Sequence, residues 1–293
     1  MKPHLGIGIQ VVPTLSNRFT QAFGLTHPIV LAPMAYASSG ALAVAVSRAG
    51  GLGLIGGGYG DRPWLEEQFS VARGTRVGVG FITWSLSKSP SLLSEALLHK
   101  PAAVILSFGD PRPFANEIHD AGAALICQCQ NRRHVREAIE AGADVIVAQG
   151  AEAGGHGALR GTFSLVPEVA DMLAQDAPQT YLLAAGGVAD GRHLAAALML
   201  GADGVLVGTR FWASSEAQVN KRHHESILAA TGDDTIRTTV PDVVRQLPWP
   251  KEFTARIRRN AFTQRWHGNE SELAENVAVE MPKFFQAYAE GNP

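Results

Sequence analysis

Short runs of β-branched and other apolar residues alternate along most of the chain with longer stretches of helical period. The runs at 29–34, 52–55, 76–82, 102–108, 123–128, 144–149, 180–186 and 203–208 predict eight strands. Several are apolar almost throughout, such as Val145-Ile146-Val147-Ala148 and Leu182-Leu183-Ala184-Ala185, as strands are when both faces of a parallel sheet are covered. Between them, 41–49, 133–141 and 192–200 carry the spacing of amphipathic helices. One junction recurs: Ala49-Gly50-Gly51-Leu52, Ala121-Gly122-Ala123, Ala141-Gly142-Ala143-Asp144 and Leu200-Gly201-Ala202-Asp203. Each puts glycine where a helix ends in the left-handed conformation before the next strand begins. Eight strands joined in this way predict a (β/α)8 TIM barrel, with an open doubly wound sheet as the alternative.

The pattern changes after Phe211. Residues 214–232 read as helical, 235–250 as irregular and proline-bearing, and 251–293 as helical again around Trp266, Phe284 and Phe285. The expected organisation is a barrel over 1–213 with a C-terminal helical extension over 214–293. That extension either covers one side of the barrel mouth or packs as an inert appendage.

Composition narrows the function classes. With 46% hydrophobic and 18% charged residues, the chain can bury a large core and does not read as disordered. A net charge of −2 and the lack of a Lys/Arg block argue against nucleic acid or an anionic membrane as partner. Arg256-Ile257-Arg258-Arg259, the most basic stretch, reads as a solvated helix face. No apolar run reaches the ~18 residues of a transmembrane helix. The opening Met-Lys-Pro-His-Leu-Gly-Ile-Gly-Ile lacks the continuous apolar core of a signal peptide. Cys127 and Cys129 form neither a disulfide framework nor a zinc pattern and fit a reducing cytoplasm. His223-His224-Glu225, the densest histidine cluster, has no i, i+4 His pair, so no metal is expected. Glycine is the outlier, at 31 of 293 residues, about one in ten against a usual ~7%. That excess calls for unusual backbone conformations or close approach to something else.

In a barrel, chemistry sits on the loops that follow the strands. The first predicted strand ends in Ala32-Pro33-Met34, where proline removes an amide donor, although an ordinary turn would look the same. The second leads into Gly56-Gly57-Gly58-Tyr59-Gly60, which suits either a flexible connection or close approach to a ligand. The seventh and eighth run into Gly186-Gly187 and Gly208-Thr209, the ordinal positions at which barrels receive a phosphate on backbone amides. The sixth opens Gln149-Gly150-Ala151-Glu152-Ala153-Gly154-Gly155-His156-Gly157. Small neighbours leave the His156 imidazole room to take a proton from carbon or to hold an anion, though a lone histidine also serves structure. Glu152 orients this loop or caps its amides and is not read as catalytic.

Taken together, Ala32-Pro33-Met34, the 149–157 run, Ala184-Ala185-Gly186-Gly187-Val188-Ala189-Asp190-Gly191 and the 201–211 segment resemble the nitronate monooxygenase family, formerly 2-nitropropane dioxygenases. Members are FMN-dependent enzymes on a TIM barrel. The likeness spans about residues 20–215 and continues more weakly through 249–266. It implies that Ala32, Pro33 and Met34 line the flavin ring, with Gln149, Gly154 and Gly155 along the FMN. Gly186, Gly187, Gly208 and Thr209 would hold the phosphate, and His156 matches the catalytic histidine. Gln128 joins the cofactor set at a position where some members carry lysine, and Gly80 stands where many carry asparagine. The implied reaction takes an alkyl nitronate, or a neutral nitroalkane first deprotonated by His156, and O2 to a carbonyl compound and nitrite. The partner is then a small molecule, and a homo-oligomer is compatible with the resemblance. Flavin-dependent enoyl-acyl-carrier-protein reductases and NAD(P)H:quinone reductases share similar glycine loops and form the alternative. A non-catalytic flavin-binding module is a third.

Overall fold

The computed structural model describes residues 15–290. Its strands are β1 (Ile29–Leu31), β2 (Gly53–Gly56), β3 (Val77–Ile82), β4 (Ala103–Ser107), β5 (Ala124–Cys129), β6 (Val145–Gln149), β7 (Gly155–Gly157), β8 (Tyr181–Ala185), β9 (Gly204–Val207), β10 (Thr235–Thr238) and β11 (Thr254–Arg258). Eight of them form one parallel sheet in the order β1-β9-β8-β6-β5-β4-β3-β2. Its two edges meet. Leu31 N–H donates to Leu52 O at 2.9 Å and Leu52 N–H to Ile29 O at 3.0 Å, closing a barrel rather than leaving an open sheet.

The helices between strands begin and end as the sequence predicts. Ser39, Asn131 and Asp190 cap Gly40–Arg48, Arg132–Glu140 and Gly191–Met199 with their side chains. Gly50, Gly122, Gly142 and Gly201 follow helix ends with φ between 71° and 95°, a region that side chains with a Cβ avoid. The first strand is shorter than predicted, ending at Leu31. Pro33 offers no amide, and Met34 N–H turns to the Ser38 hydroxyl at 3.1 Å instead of a neighbouring strand.

Two cores result. Leu54, Ile105, Ile126, Val147, Leu183 and Leu206 fill the barrel interior, and a larger apolar layer lies between strands and helices. The N-terminal end of the barrel is plugged by Phe19 and Phe23 of helix Arg18–Phe23, whose rings lie 4.8 Å apart. Arg18 fixes this helix through Asp203, at 2.7 and 2.8 Å.

The C-terminal segment is largely helical, as expected, but it also contributes strands. Strands β10 and β11 pair antiparallel, and β11 pairs with β7 inside the loop after β6. The stretch read as irregular therefore holds a strand and the helix Val240–Val244. Within 214–232 the α-helix spans only Lys221–Ala229. The Arg256–Arg259 run is no solvated helix face: Arg256 and Arg258 lie on β11, and Arg256 Nε donates to Ala151 O at 3.0 Å. The remaining helices include Ala261–Trp266, Glu270–Glu275 and Val277–Ala289, with Val240, Val244, Trp266 and Leu273 as their own small core.

Among the described residues no helix is long and apolar enough to cross a membrane, and no three His, Cys, Asp or Glu side chains cluster as metal ligands. The signal-peptide question falls largely on 1–14, outside the described residues. His223 is buried and His224 hydrogen-bonds Ala213 O. Cys127 and Cys129 are free buried thiols, and burial pushes both up, away from the reactive thiolate.

Candidate active site

Strand alternation decides what the barrel mouth is made of. The faces that turn Val30, Leu54, Ile105, Ile126, Val147, Leu183 and Leu206 inward also turn Ala32, Gly56, Ser107, Gln128, Gln149, Ala185 and Gly208 inward, one layer closer to the C-terminal end. Gly80 of β3 belongs to the same layer, register-paired with Gly56 and Ile105. Apart from the two glutamines, every residue of this layer is Gly, Ala or Ser. Side chains fill the barrel below it, while this layer leaves space.

The glutamines stand on one side. Gln149 Nε2 donates to His156 O at 3.1 Å, and Gln149 Oε1 accepts from Gln130 Nε2 at 2.9 Å. Gln130, 1% exposed, keeps its Oε1 buried without a partner. An unpaired buried acceptor is costly and calls for a donor. Opposite, Pro33 lies against Gly80: a Cβ there would come within 2.4 Å of the Pro33 ring and 2.5 Å of Ile105.

Several strand-end loops converge above this layer. The Glu152 carboxylate accepts from Thr162 N–H at 2.9 Å and from the Thr162 hydroxyl at 2.8 Å. It thereby caps helix Thr162–Asp176, the structural role left open for it. Thr162 Oγ1 also lies 3.1 Å from Gly186 O, which brings the β6 and β8 loops together. Gly186 and Gly187 sit at φ 103° and 75°, and a Cβ on Gly186 would meet Gly150 O at 2.9 Å. A Cβ on Gly154 would lie 2.7 Å from Thr209 Oγ1, so the β6 and β9 loops also touch. A Cβ on Gly208 would meet Ala32 and Met34 at ordinary contact distances of 3.5 and 3.6 Å, bringing in the β1 loop. Thr209 and Arg210 open a short helix, so their amides have no intrahelical acceptor. Gly155, at φ 73°, has nothing within 4 Å of a notional Cβ. The residues singled out in the sequence thus gather on one end of the barrel, with Gln128 on its inner wall and Gly155 at the loop's open edge.

His156 lies on β7 with its backbone paired to Ala255 of β11. Its Nε2 is 2.9 and 3.0 Å from the two carboxylate oxygens of Asp242, which is 5% exposed. Trp249 stacks on the imidazole at a centroid distance of 3.4 Å and an interplanar angle of 5°. Trp249 Nε1 in turn donates to the Tyr59 hydroxyl at 3.1 Å, and burial pushes that phenol's pKa up. Trp84, Phe108 and Phe253 complete an aromatic wall, with Phe108 held at φ 66° and its ring 5.1 Å from Trp249. Below, Arg237 of β10 donates to Gly157 O, Ala151 O and Ala153 O at 3.1, 2.8 and 3.3 Å. Those bonds brace the histidine loop from within.

Asp242, Trp84, Phe108, Phe253, Gln130 and Arg237 escaped the sequence-based reading as site residues, and Tyr59 entered it only as part of the Gly56–Gly60 loop. Trp249 entered it only through the weak likeness of 249–266. The alternation in Thr254-Ala255-Arg256-Ile257-Arg258 was an available strand signal. For Asp242, 86 residues from His156, no local signal exists.

The chain is similar to several known proteins. The family model described as nitronate monooxygenase matches residues 89–277. A relative named nitronate monooxygenase npaC from Metarhizium robertsii is 36% identical, covering 88% of this chain and 80% of its own. Nitronate monooxygenase of Neurospora crassa is 34% identical over 80% of this chain and 74% of its own. Among solved structures, FabK from Thermotoga maritima superposes with a TM-score of 0.78 at 33% identity, covering 91% of this chain and 81% of that one. A nitroalkane oxidase from Streptomyces ansochromogenes has the same TM-score of 0.78 at 24% identity, over 93% and 88% of the two chains, which speaks to the fold alone. On the span of the family match and the identity of these relatives, the chain belongs to the nitronate monooxygenase family of oxidoreductases.

Proposed function

We propose that the protein is an FMN-dependent nitronate monooxygenase that oxidises alkyl nitronates with O2 to a carbonyl compound and nitrite. The observation carrying this is the convergence of His156 with the glycine-lined β6, β8 and β9 loops over a layer of Gly, Ala and Ser. The donor set suits a flavin mononucleotide. Gly186, Gly187, Gly208 and Thr209 would receive the phosphate on backbone amides and a hydroxyl, with Gly186 the one of them where a Cβ would crowd neighbouring backbone. Ala32, Pro33 and Met34 would flank the ring, with Gly154 and Gly155 along its length. A flavin ring offers carbonyl acceptors and one imide donor; Gln128 and Gln149 supply amides, and the orphaned Gln130 Oε1 would accept from that donor. Bound there, FMN would take reducing equivalents from the nitronate and pass them to O2.

The chain's own residues bind, orient and shield. His156 would hold the nitronate's charge or accept the α-proton of a neutral nitroalkane. The aromatic wall of Tyr59, Trp84, Phe108, Trp249 and Phe253 would exclude water from the alkyl portion. In this reading 1–213 is the flavin-binding barrel and 214–293 an extension packed over its mouth, in a cytoplasmic enzyme whose free cysteines suit a reducing compartment.

The test begins with a visible spectrum and a nitrite assay. The purified protein is expected to be yellow or reconstitutable with FMN, and to release nitrite aerobically from alkyl nitronates. In His156→Asn, FMN should stay bound while nitroalkane turnover falls about 10²–10⁴-fold, the usual contribution of a general base. Full nitroalkane activity in that variant would remove the base assignment, and a protein that cannot take up FMN would remove the whole reading. The alternative, an NAD(P)H-dependent FMN reductase acting on quinones or enoyl thioesters, draws support from the likeness to FabK. NAD(P)H oxidation with either acceptor, without nitrite release, would favour it.

A further inference from the structure

The pairing of His156 with Asp242 goes beyond the presence of a histidine in the loop. Asp242 is 5% exposed, and His156 Nε2 is the one side-chain group among the described residues that hydrogen-bonds its carboxylate, at 2.9 and 3.0 Å. A buried carboxylate left without that partner would be costly, so the bond is obligatory for the fold around it. The carboxylate can only accept, which fixes Nε2 as the protonated nitrogen of the neutral ring. Nδ1 makes no hydrogen bond among the described residues, and it is not among the buried atoms lacking a partner, so it remains accessible.

The other restraints leave the ring little freedom. Backbone pairing of β7 with β11 sets where the residue stands. The Trp249 stack at 3.4 Å covers one ring face and sets its plane. Only the contact to Asp242 decides which nitrogen faces the open side.

We infer that Asp242 is a positioning residue: it keeps the His156 proton on Nε2 and so presents Nδ1 as the nitrogen that takes the substrate proton. The inference rests on the nitronate monooxygenase reading and deepens it. With a neutral nitroalkane, the Nδ1 lone pair forms the new N–H bond as the substrate's α C–H bond breaks. The C–H electron pair becomes the C=N bond, and a nitro N=O pair moves onto oxygen, leaving a nitronate and an imidazolium whose Nε2–H still points at Asp242. A preformed nitronate needs no such step, so the two substrates separate the positioning role from everything downstream. The C-terminal segment thereby contributes to the chemistry rather than only covering the barrel.

Two measurements on the full-length, FMN-loaded protein decide this. Long-range 1H–15N correlation spectra of histidine-labelled protein, with His156 assigned by its loss in His156→Asn, should show a protonated Nε2 and a bare Nδ1 at a pH where the ring is neutral. The opposite tautomer overturns the proposal. In Asp242→Asn the ratio of nitroalkane to nitronate turnover should fall about 10²-fold, because an amide can donate to Nε2 and stabilise the other tautomer. An unchanged ratio, with the variant still binding FMN, also overturns it. Failure of the wild-type protein to release nitrite from either substrate would sink the functional reading instead. The tautomer measurement, which needs neither substrate nor a folded Asp242 variant, would still decide the Asp242 assignment.

Discussion

Gly80 shows how far a single hydrogen in place of a side chain reaches. A Cβ at this position would lie 2.4 Å from Pro33 and 2.5 Å from Ile105. Pro33 occupies the space that a side chain would take, so the β1 loop and β3 fit against each other here. Gly80→Ala should therefore cost about 1–3 kcal/mol as an overpacked core position, measured by urea denaturation. Because Pro33 would have to withdraw from the mouth, the variant should also release FMN more readily than the parent, measured by flavin fluorescence on dilution. A variant as stable as the parent with unaltered flavin affinity would mean that Pro33 yields freely and takes no part in the ring site. At this scale the sequence was informative where a glycine's job is local. The positive φ of Gly50, Gly122, Gly142 and Gly201 follows from helix ends written in the adjacent residues. Contact between Gly80 and Pro33 joins separate strands and has no such local mark.

Among the elements, the helix Arg18–Phe23 acts as a stopper. Phe19 is fully buried at the bottom of the barrel, 4.8 Å from Phe23 and 5.8 Å from Tyr181 between ring centroids. Removing that ring leaves a cavity that a closed barrel cannot collapse, so Phe19→Ala should lower stability by about 3–5 kcal/mol. The site lies at the opposite end, so nitrite release per bound FMN should be retained where the variant remains folded. A comparable loss of flavin binding would mean that the two ends are mechanically coupled. The eight barrel strands were legible because a strand buried on both faces must be a continuous apolar run. Strand β7 was not, for Gly155-His156-Gly157 has no alternation and exists as a strand only because β11 lies beside it. The short, Thr- and Arg-rich β10 and β11 turn Arg237 and Arg256 back onto the carbonyls of the 150–157 loop. A count of cations in the sequence reads such arginines as solvent-facing.

At the scale of the whole molecule, the C-terminal segment meets the barrel at several strand-end loops, and the catalytic candidate stands on the one that it pairs with as a strand. The motif around His156 could be found from nine consecutive residues, but its carboxylate partner and its brace come from 86 and about 80 positions further along. Arg237 is the principal brace. Its guanidinium reaches the carbonyls of Ala151, Ala153, Gly157 and Thr254. Burial pulls its pKa down, yet a guanidinium remains charged at any working pH. Arg237→Met keeps much of the side-chain volume while leaving several loop carbonyls without a donor. Hydrogen bonds to a charged group contribute about 1.5–3 kcal/mol each, and those carbonyls regain part of this from water once the loop loosens. A net loss of about 2–3 kcal/mol is therefore expected on denaturation. The functional effect should exceed what lower stability alone produces, since the same loop carries Gly154, Gly155 and His156. FMN affinity and nitroalkane turnover should both fall at temperatures where the variant is fully folded. Arg256→Met, which gives up one contact to Ala151 O and one to Thr235 Oγ1, should show the same effects to a smaller degree. Equal effects of the two substitutions, or a stability loss without any change in flavin affinity, would show that the loop keeps its shape without the guanidinium and that the C-terminal segment holds the site by Asp242 and Trp249 alone.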